Sequence, residues 1–468
     1  MPLILGVVLI SVVITSCTPF APAARQGQEE ISLPDTFSVN QAINIAELRW
    51  WETFADDQLN SLVAQALSEN LTLASYWARL DKARLQAKKA GADLLPAVTG
   101  EGGASYMKMR SDDGTTVTRS ENDNYSIGLV ASYEIDLWGR VRASRESARL
   151  EAEASREDLH AAAITVAAEV TERWVKILSQ KFQLQLLEQQ LETNRVYFDL
   201  VELRFRKSLA SALDVLQQKQ LLERIRAQLP LVEMEERIQR NQLAVLLGRM
   251  VHELPEVTRA HMPELPDVPA AGLPVQLLQN RPDIAAALKR LEAADQTLAA
   301  ARADRLPSLR LTGSGAYGSG DLERIFDNWM VNLAGSLTAP IFDGGSREAE
   351  VGISAAEIQQ NLVEYRHLVI TAVREVEDAL ITETKTRDHI KALKNQLQAA
   401  RDALNEARSR YINGLNDYLP VLTQLLSVQG LESDLIRKQA DLIVTRVDLY
   451  RAIGGTWPQE LVSPEGEN

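Results

Sequence analysis

Several things are scarce in this sequence, and each scarcity removes a class of protein. A single cysteine, Cys17, among 468 residues rules out an internal disulfide. Aromatic residues amount to only 5%, fewer than a compact core of this size draws on for buried volume. There are only five histidines, and three of them, His252, His261 and His389, form no ligand or triad pattern. No cluster of Lys and Arg stands out along a chain whose formal net charge is -14. Nucleic acid, which wants concentrated cationic surface, is therefore an unlikely partner. Beyond the first residues no apolar run reaches 18, so no membrane-spanning helix is expected.

What is abundant points to elongated helical architecture: Leu, Ala, Gln, Glu and Arg dominate long stretches, as where helix propensity and a narrow apolar stripe carry the structure. At the N-terminus, residues 3 to 14 form an apolar run suited to a signal sequence. It ends in "VITSC", which resembles a bacterial lipobox and implies a signal peptide over 1–16, with Cys17 lipidated as the mature N-terminus. Thr18, rather than Asp, suits an outer-membrane destination in this resemblance. The run has no preceding Lys or Arg, which fits a misplaced start or a weak export signal. The alternative is a degraded signal with an incidental cysteine.

The chain is internally duplicated. Gly139 and Gly345 stand 206 residues apart, as do Phe205 and Tyr411, Val215 and Val421, Leu216 and Leu422, and Gly248 and Gly454. Upstream, "ALSENLTLASYWARL" pairs with "LLQNRPDIAAALKRL" at a spacing of 211, so the change of five falls between the two strands of each unit. Each unit reads helix, strand, strand, long helix, turn, helix. The first predicts elements at about 58–93, 97–107, 124–138, 141–205 and 212–247, the second at about 275–305, 308–317, 329–342, 347–411 and 419–453. The expected organisation is a lipidated segment over 17–57, a first repeat over 58–248, a Pro-rich linker over 249–273, a second repeat over 274–455 and a tail over 456–468.

The second strand of the first unit alternates: Tyr125, Ile127, Leu129, Ala131, Tyr133, Ile135 and Leu137 are apolar, while the intervening positions are small or polar except Val130. Trp329, Val331, Leu333, Leu337 and Ile341 repeat the pattern. Such lengths suit tilted strands of an outer-membrane barrel with aromatic girdles; a half-buried sheet in a soluble protein would alternate too. Four strands cannot close a barrel, and open edges in hydrocarbon leave backbone groups unpaired. A membrane reading therefore requires oligomers, eight strands from two chains or twelve from three. The long helices carry a seven-residue seam, Ala163, Val170, Ile177, Leu184, Leu191, Phe198 and Phe205, repeated as Val369, Val376, Glu383, Ile390, Leu397, Leu404 and Tyr411 with a break at Glu383. Left-handed supercoiled packing follows.

Taken in order, "WWETFADDQLNSLVAQALSENLTLASYWARLDKARLQAKKAGADLLP", "DLWGR", "SALDVLQQKQLL", "LAVLLG", "NRPDIAAALKRLEAAD", "PIFDGGSR" and "RYINGLNDYLPVL" resemble the TolC-like outer-membrane efflux family, in its lipoprotein branch of OprM or NodT type. The resemblance covers essentially the whole mature chain. It implies a mainly α protein with membrane β structure, whose four strands per chain join a trimeric 12-stranded outer-membrane barrel on a long coiled-coil α-barrel. It also implies a homotrimer, lipid-anchored and barrel-spanning in the outer membrane with a periplasmic extension. The partners implied are a periplasmic adaptor and an inner-membrane RND-type transporter. A duct for type I protein secretion, or a lipid-anchored helical scaffold without a channel, are the alternatives. Substrate identity is not legible.

Helix turns are expected near 208–213 and 414–419. Ser211 can cap the next helix with Asp214 three residues on; in the second unit Asn416 or Asp417 caps, and Pro420 is tolerated in the first turn. The resemblance adds gate roles: Asp214 and Tyr411 match an aspartate and a tyrosine that link neighbouring coils in the closed state, and Leu419 matches an apolar constriction. Thr423 and Pro420 stand where the family often has aspartate rings, Asn416 where an arginine is found, and Ser208 where glycine is commoner. Asp417 is then the one nearby carboxylate in the second unit. "GSGAYG" fits a dinucleotide fingerprint but lies in a strand without βαβ context. Two E-x-x-H pairs, ending at His160 and His367, are out of step with the repeat and read as solvated helix faces rather than a di-iron site. No cofactor, metal site or enzyme activity is expected.

Overall fold

In a computed structural model of the chain, the described residues are 19–22, 37, 49–251, 257–259, 261–265, 280–455 and 457–461. Cys17, most of the Pro-rich linker and residues 462–468 lie outside them. The first repeat comprises α1 (Asp57–Glu69), α2 (Leu71–Ala92), β1 (Ala97–Asp112), β2 (Val117–Ile135), α3 (Arg140–Arg206) and α4 (Ala212–Leu246). The second comprises α5 (Pro282–Ala303), β3 (Ser308–Ser319), β4 (Trp329–Thr338), α6 (Ser346–Ile412) and α7 (Leu419–Ile453). Both α3 and α6 are 67 residues long and α4 and α7 both 35, so the duplication holds at the level of elements. Among the described residues no helix is long and apolar enough to cross a membrane.

Three expectations need correction. The helix expected over 58–93 is two helices, because Asn70 adopts an extended backbone and its side-chain oxygen caps the amide of Leu73 at 3.0 Å. In the second repeat Asn280 is already helical, Arg281 interrupts the expected helix and α5 begins again at Pro282; proline's fixed φ and missing N–H suit a first helical position, and the expected start near 275 lies outside the described residues. The strands of the first hairpin run further apart from the helices than expected, to Asp112 and from Val117, because polar pairs such as Lys108 opposite Glu121 continue the ladder past the apolar stretch.

Contacts divide the chain into two units. One takes Arg79–Arg156 and Ala286–Arg366, with Met1–Glu30. It holds an antiparallel four-stranded meander in the order β1-β2-β3-β4. Register sorts its faces: Ile127, Tyr317 and Trp329 lie abreast, as do Leu129, Gly315 and Val331, while Val130, Ser314 and Asn332, or Glu134, Arg310 and Ser336, share the other face. The apolar face is bare, Leu333 being 82% exposed. Where β2 ends, Asp136 accepts the amides of Val141 and Arg142 at 3.1 and 2.9 Å and so caps α3; Asp343 does the same for Gly345 and Arg347 at the start of α6.

The other unit takes Ile31–Ala78, Glu157–Ala285 and His367–Asn468. Much of the small aromatic allowance is concentrated here. Trp50 stacks on Tyr450 at 5.3 Å, and Trp51 meets Trp457 edge-on at 4.8 Å. Both repeats end their last helix at a glycine of positive φ, Gly248 at 66° and Gly454 at 82°. A Cβ on either would stand 2.4 Å from a carbonyl oxygen, of Glu69 and of Asn280 respectively. The residues after those carbonyls, Asn70 and Arg281, donate to the helix-end carbonyls of Leu246 at 2.7 Å and Ala452 at 3.1 Å. The seam at Ala163, Val170 and Ile177 is buried, but further along α3 burial passes to Leu187, Asn194 and Val201, leaving Phe205 exposed. In the second repeat the seam stays covered even at its break, where Glu383 and Arg446 are both 0% exposed and joined, Arg446 Nε donating to Glu383 Oε2 at 2.9 Å.

Candidate functional site

The two helix turns, one joining α3 to α4 and the other α6 to α7, come together around one apolar cluster that includes Val201, Leu221, Tyr411, Tyr418 and Leu422. Each long helix closes through the same pair of bonds. In the first, the amides of Ser208 and Leu209 donate to Phe205 at 2.9 Å and Arg204 at 2.8 Å; in the second, those of Gly414 and Leu415 donate to Tyr411 at 3.1 Å and Arg410 at 2.9 Å. This termination needs a left-handed residue, and Ser208 takes φ 61° where Gly414 takes 72°.

The restarts differ. Ser211 and Asp214 form the expected capping box, with the Asp214 amide donating to Ser211 Oγ at 3.2 Å and the Ser211 amide to Asp214 Oδ2 at 2.9 Å. In the second turn neither Asn416 nor Asp417 caps. The N-cap is Tyr418, without a side-chain cap bond, because that side chain is drawn inward and its hydroxyl donates to Gln218 Oε1 at 2.7 Å. Gln218 in turn donates to Asn194 O at 2.9 Å, and Asn194 Nδ2 to Gln190 O at 2.7 Å. Burial raises the Tyr418 phenol well above its ordinary pKa.

Sequence reasoning missed this buried polar chain, although Tyr418 lies one heptad beyond Tyr411 and Gln218 one repeat before Gln424. Tyr411 is buried, its ring 5.1 Å from that of Tyr418 and 4.5 Å below the Arg204 guanidinium. Its hydroxyl finds no hydrogen-bond partner among the described residues. Burial again raises its pKa, with Arg204 opposing and Asp214 adding to the shift. Asp417 and Leu419 are exposed; Thr423 is also exposed and bonds its own helix at Leu419 O, 2.9 Å away. Leu209, Leu213, Leu216 and Leu415 add to the bare apolar surface of the turns. Cys17 lies outside the described residues.

Among the described residues no group of His, Cys, Asp and Glu could hold a metal ion. His367 is exposed, but His160 is not the solvated residue expected: it is buried, with Nδ1 3.1 Å from Glu157 Oε2. Among the described residues the two turns bring no nucleophile together with a base.

The family profile described as outer membrane efflux protein matches residues 62–249 and 273–455. The pyoverdine export outer membrane protein OpmQ of Pseudomonas putida is 32% identical over 426 residues, 90% of each chain. The cation efflux system protein CusC of Escherichia coli is 29% identical over 457 residues, 96% of this chain and 98% of its own. Among solved structures, the outer-membrane channel OprN superposes with a TM-score of 0.86 at 27% identity, over 94% of this chain and 99% of that one.

Proposed function

Because the chain belongs to the outer membrane efflux protein family, and so serves as the outer-membrane channel of a tripartite efflux pump rather than as an enzyme, we propose that three copies pool their sheets into one twelve-stranded barrel. The observation that carries this is the meander itself. Its outer strands β1 and β4 are exposed along their whole length with one edge each unpaired among the described residues, and unpaired backbone in hydrocarbon costs several kcal/mol per group. Two copies would give a barrel filled by its own side chains, whereas twelve strands leave room for water. The small and polar face, with Ser314, Asn332 and Ser336, then lines the lumen, and the face bearing Leu129, Val331 and Leu333 meets lipid.

Lipidation at Cys17 anchors the N-terminus. The paired turns form the periplasmic gate: the unpartnered Tyr411 hydroxyl bonds Asp214 of a neighbouring copy when closed, Leu419 narrows the opening, Thr423 lines it, and Asp417 supplies negative charge. The exposed leucines of the turns suit a periplasmic adaptor, and an RND-type inner-membrane transporter feeds the duct. Relatives named for pyoverdine export and for cation efflux match nearly the whole chain, which supports a duct whose cargo is chosen by the pump.

The test is the mass of detergent-solubilised protein together with its conductance in planar bilayers. A trimer that conducts is expected; a monomer that keeps its β signal would end the reading. Tyr411→Phe should raise conductance, and no change would remove the latch. Asp417→Asn should weaken cation preference, and unchanged selectivity would leave that residue without a pore role. Metabolic labelling with palmitate should disappear in Cys17→Ser.

A further inference from the structure

At the strand-to-helix junction of the sheet-bearing unit lies a cavity of about 310 Å³ whose lining includes Phe20, Trp138, Arg142, Arg145, Glu146 and Gln296. Nothing in the channel or its turns uses it. No basic cluster shows along the sequence, yet the fold makes one, since the basic stretches 84–96, 139–149 and 302–310 adjoin the start of β1, the end of β2 and the start of β3. Most of the charges there are matched: Arg140 holds Glu134 at 2.7 Å, Arg142 Nε holds Asp136 at 3.1 Å, and Arg149 holds Glu146 at 2.6 Å. That last pair keeps the one carboxylate in the cavity wall ionised and already neutralised, its pKa lowered chiefly by Arg149.

Arg145 is different. It makes no hydrogen bond or ion pair among the described residues, and its stem is braced beside Gly91, 3.6 Å from where a Cβ would stand. Gln296 likewise has no partner among them. The indole N–H of Trp138 is committed to Pro307 O at 2.7 Å, so Trp138 and Phe20 present apolar surface, while Arg145, Gln296 and the Nη1 of Arg142, whose Nε and Nη2 are held by Asp136 at 3.1 and 3.0 Å, present donors. Together they form an anion-binding wall beside an apolar one.

We propose that this cleft holds the phosphate of an anionic phospholipid from the inner leaflet of the outer membrane. Arg145 and Arg142 grip the headgroup, and Phe20 and Trp138 lie along its glycerol and upper acyl chains. The assignment rests on the sheet spanning that membrane. Arg142 and Arg145 lie two and five residues beyond Arg140, where the helix begins, about 3 and 8 Å along its axis, and a headgroup layer extends roughly 5 to 8 Å beyond the hydrocarbon. Guanidinium groups suit phosphate through paired, charge-assisted donors.

Full-length protein in micelles containing phosphatidylglycerol and phosphatidylcholine, read by native mass spectrometry, tests this. Wild type should retain phosphatidylglycerol in preference, Arg145→Gln should lose roughly fivefold of that retention, and Arg145→Lys should recover part of it. Equal retention of the two lipids by wild type, or undiminished phosphatidylglycerol on Arg145→Gln, overturns the site. Displacement of the lipid by added inorganic phosphate also overturns it, by showing a free-anion site instead. Subunit mass and conductance of the same preparations judge the channel separately. A conducting trimer without the lipid preference sinks only the cleft, and a protein that neither assembles nor conducts sinks the channel while lipid retention is still read.

Discussion

At residue 177 the first repeat buries an isoleucine, and 206 residues later the second buries Glu383 against Arg446. Arg240, the first repeat's counterpart of Arg446, instead pairs with Glu236 on its own helix at 3.6 Å. One ancestral packing position has therefore been filled once by apolar contact and once by an ion pair. The two differ in what they enforce. An apolar seam tolerates small slips, whereas a buried charge has one acceptable partner, which suits it to fixing register. The turns show the same division of labour. The first has a capping box and a left-handed serine on the outside, while the second has glycine, proline and an inward tyrosine tied to Gln218.

Making the repeats alike should show what each difference is worth. The largest effect is expected from Glu383→Ile, which installs the first repeat's residue but strands Arg446. It should cost about 3–5 kcal/mol in melts, and adding Arg446→Leu should restore most of it. If the single and double variants melt together, the pair contributes nothing. Next come Gly454→Ala and Gly248→Ala, each forcing a Cβ against a carbonyl in left-handed backbone. Each should lose at least about 2 kcal/mol, and a tolerated substitution in one repeat alone would show that its helix end is free to shift.

Tyr418→Phe should cost about 1–3 kcal/mol by leaving the Gln218 amide oxygen buried without its donor. The same phenol sharpens the pH response. Its pKa is raised in the folded chain, so folding favours the protonated form. The associated stability is whole below the ordinary tyrosine value of about 10 and declines as pH rises past it. Tyrosinate absorbance should show Tyr411 and Tyr418 ionising late, and unfolding should accompany Tyr418. The smallest change is expected from Ser208→Gly, which relieves left-handed strain and should stabilise by roughly 1 kcal/mol; destabilisation would mean that the serine side chain holds the turn.

Much of this was legible in the sequence because duplication supplied an internal comparison. Spacings of 206 and 211 located the paired elements, and alternation about Ile127 and Val331 marked the strands. What escaped was what depends on partners far along the chain. Asn70 breaks its helix through its own amide and by reaching Leu246, and Tyr418 abandons a surface cap for Gln218. His160 looked solvated because it lies off the seven-residue seam and its E-x-x-H pair is out of step with the repeat, yet packing covers it. The handover of the seam after Ile177 was hidden for a related reason: Leu184 and Leu191 keep the seven-residue period while Leu187 and Asn194, on an adjacent stripe, take the buried positions.

The strand order has a consequence for mixed populations. Since β1 and β4 are opposite ends of one meander, the edge each copy offers is unlike the edge it receives. In the proposed barrel, subunits therefore join head to tail, without a twofold axis, and growth ends only at ring closure. A copy whose β4 edge is blocked can still be captured through β1, so that it terminates an arc of sound neighbours and acts as a dominant poison even when it is the minority species.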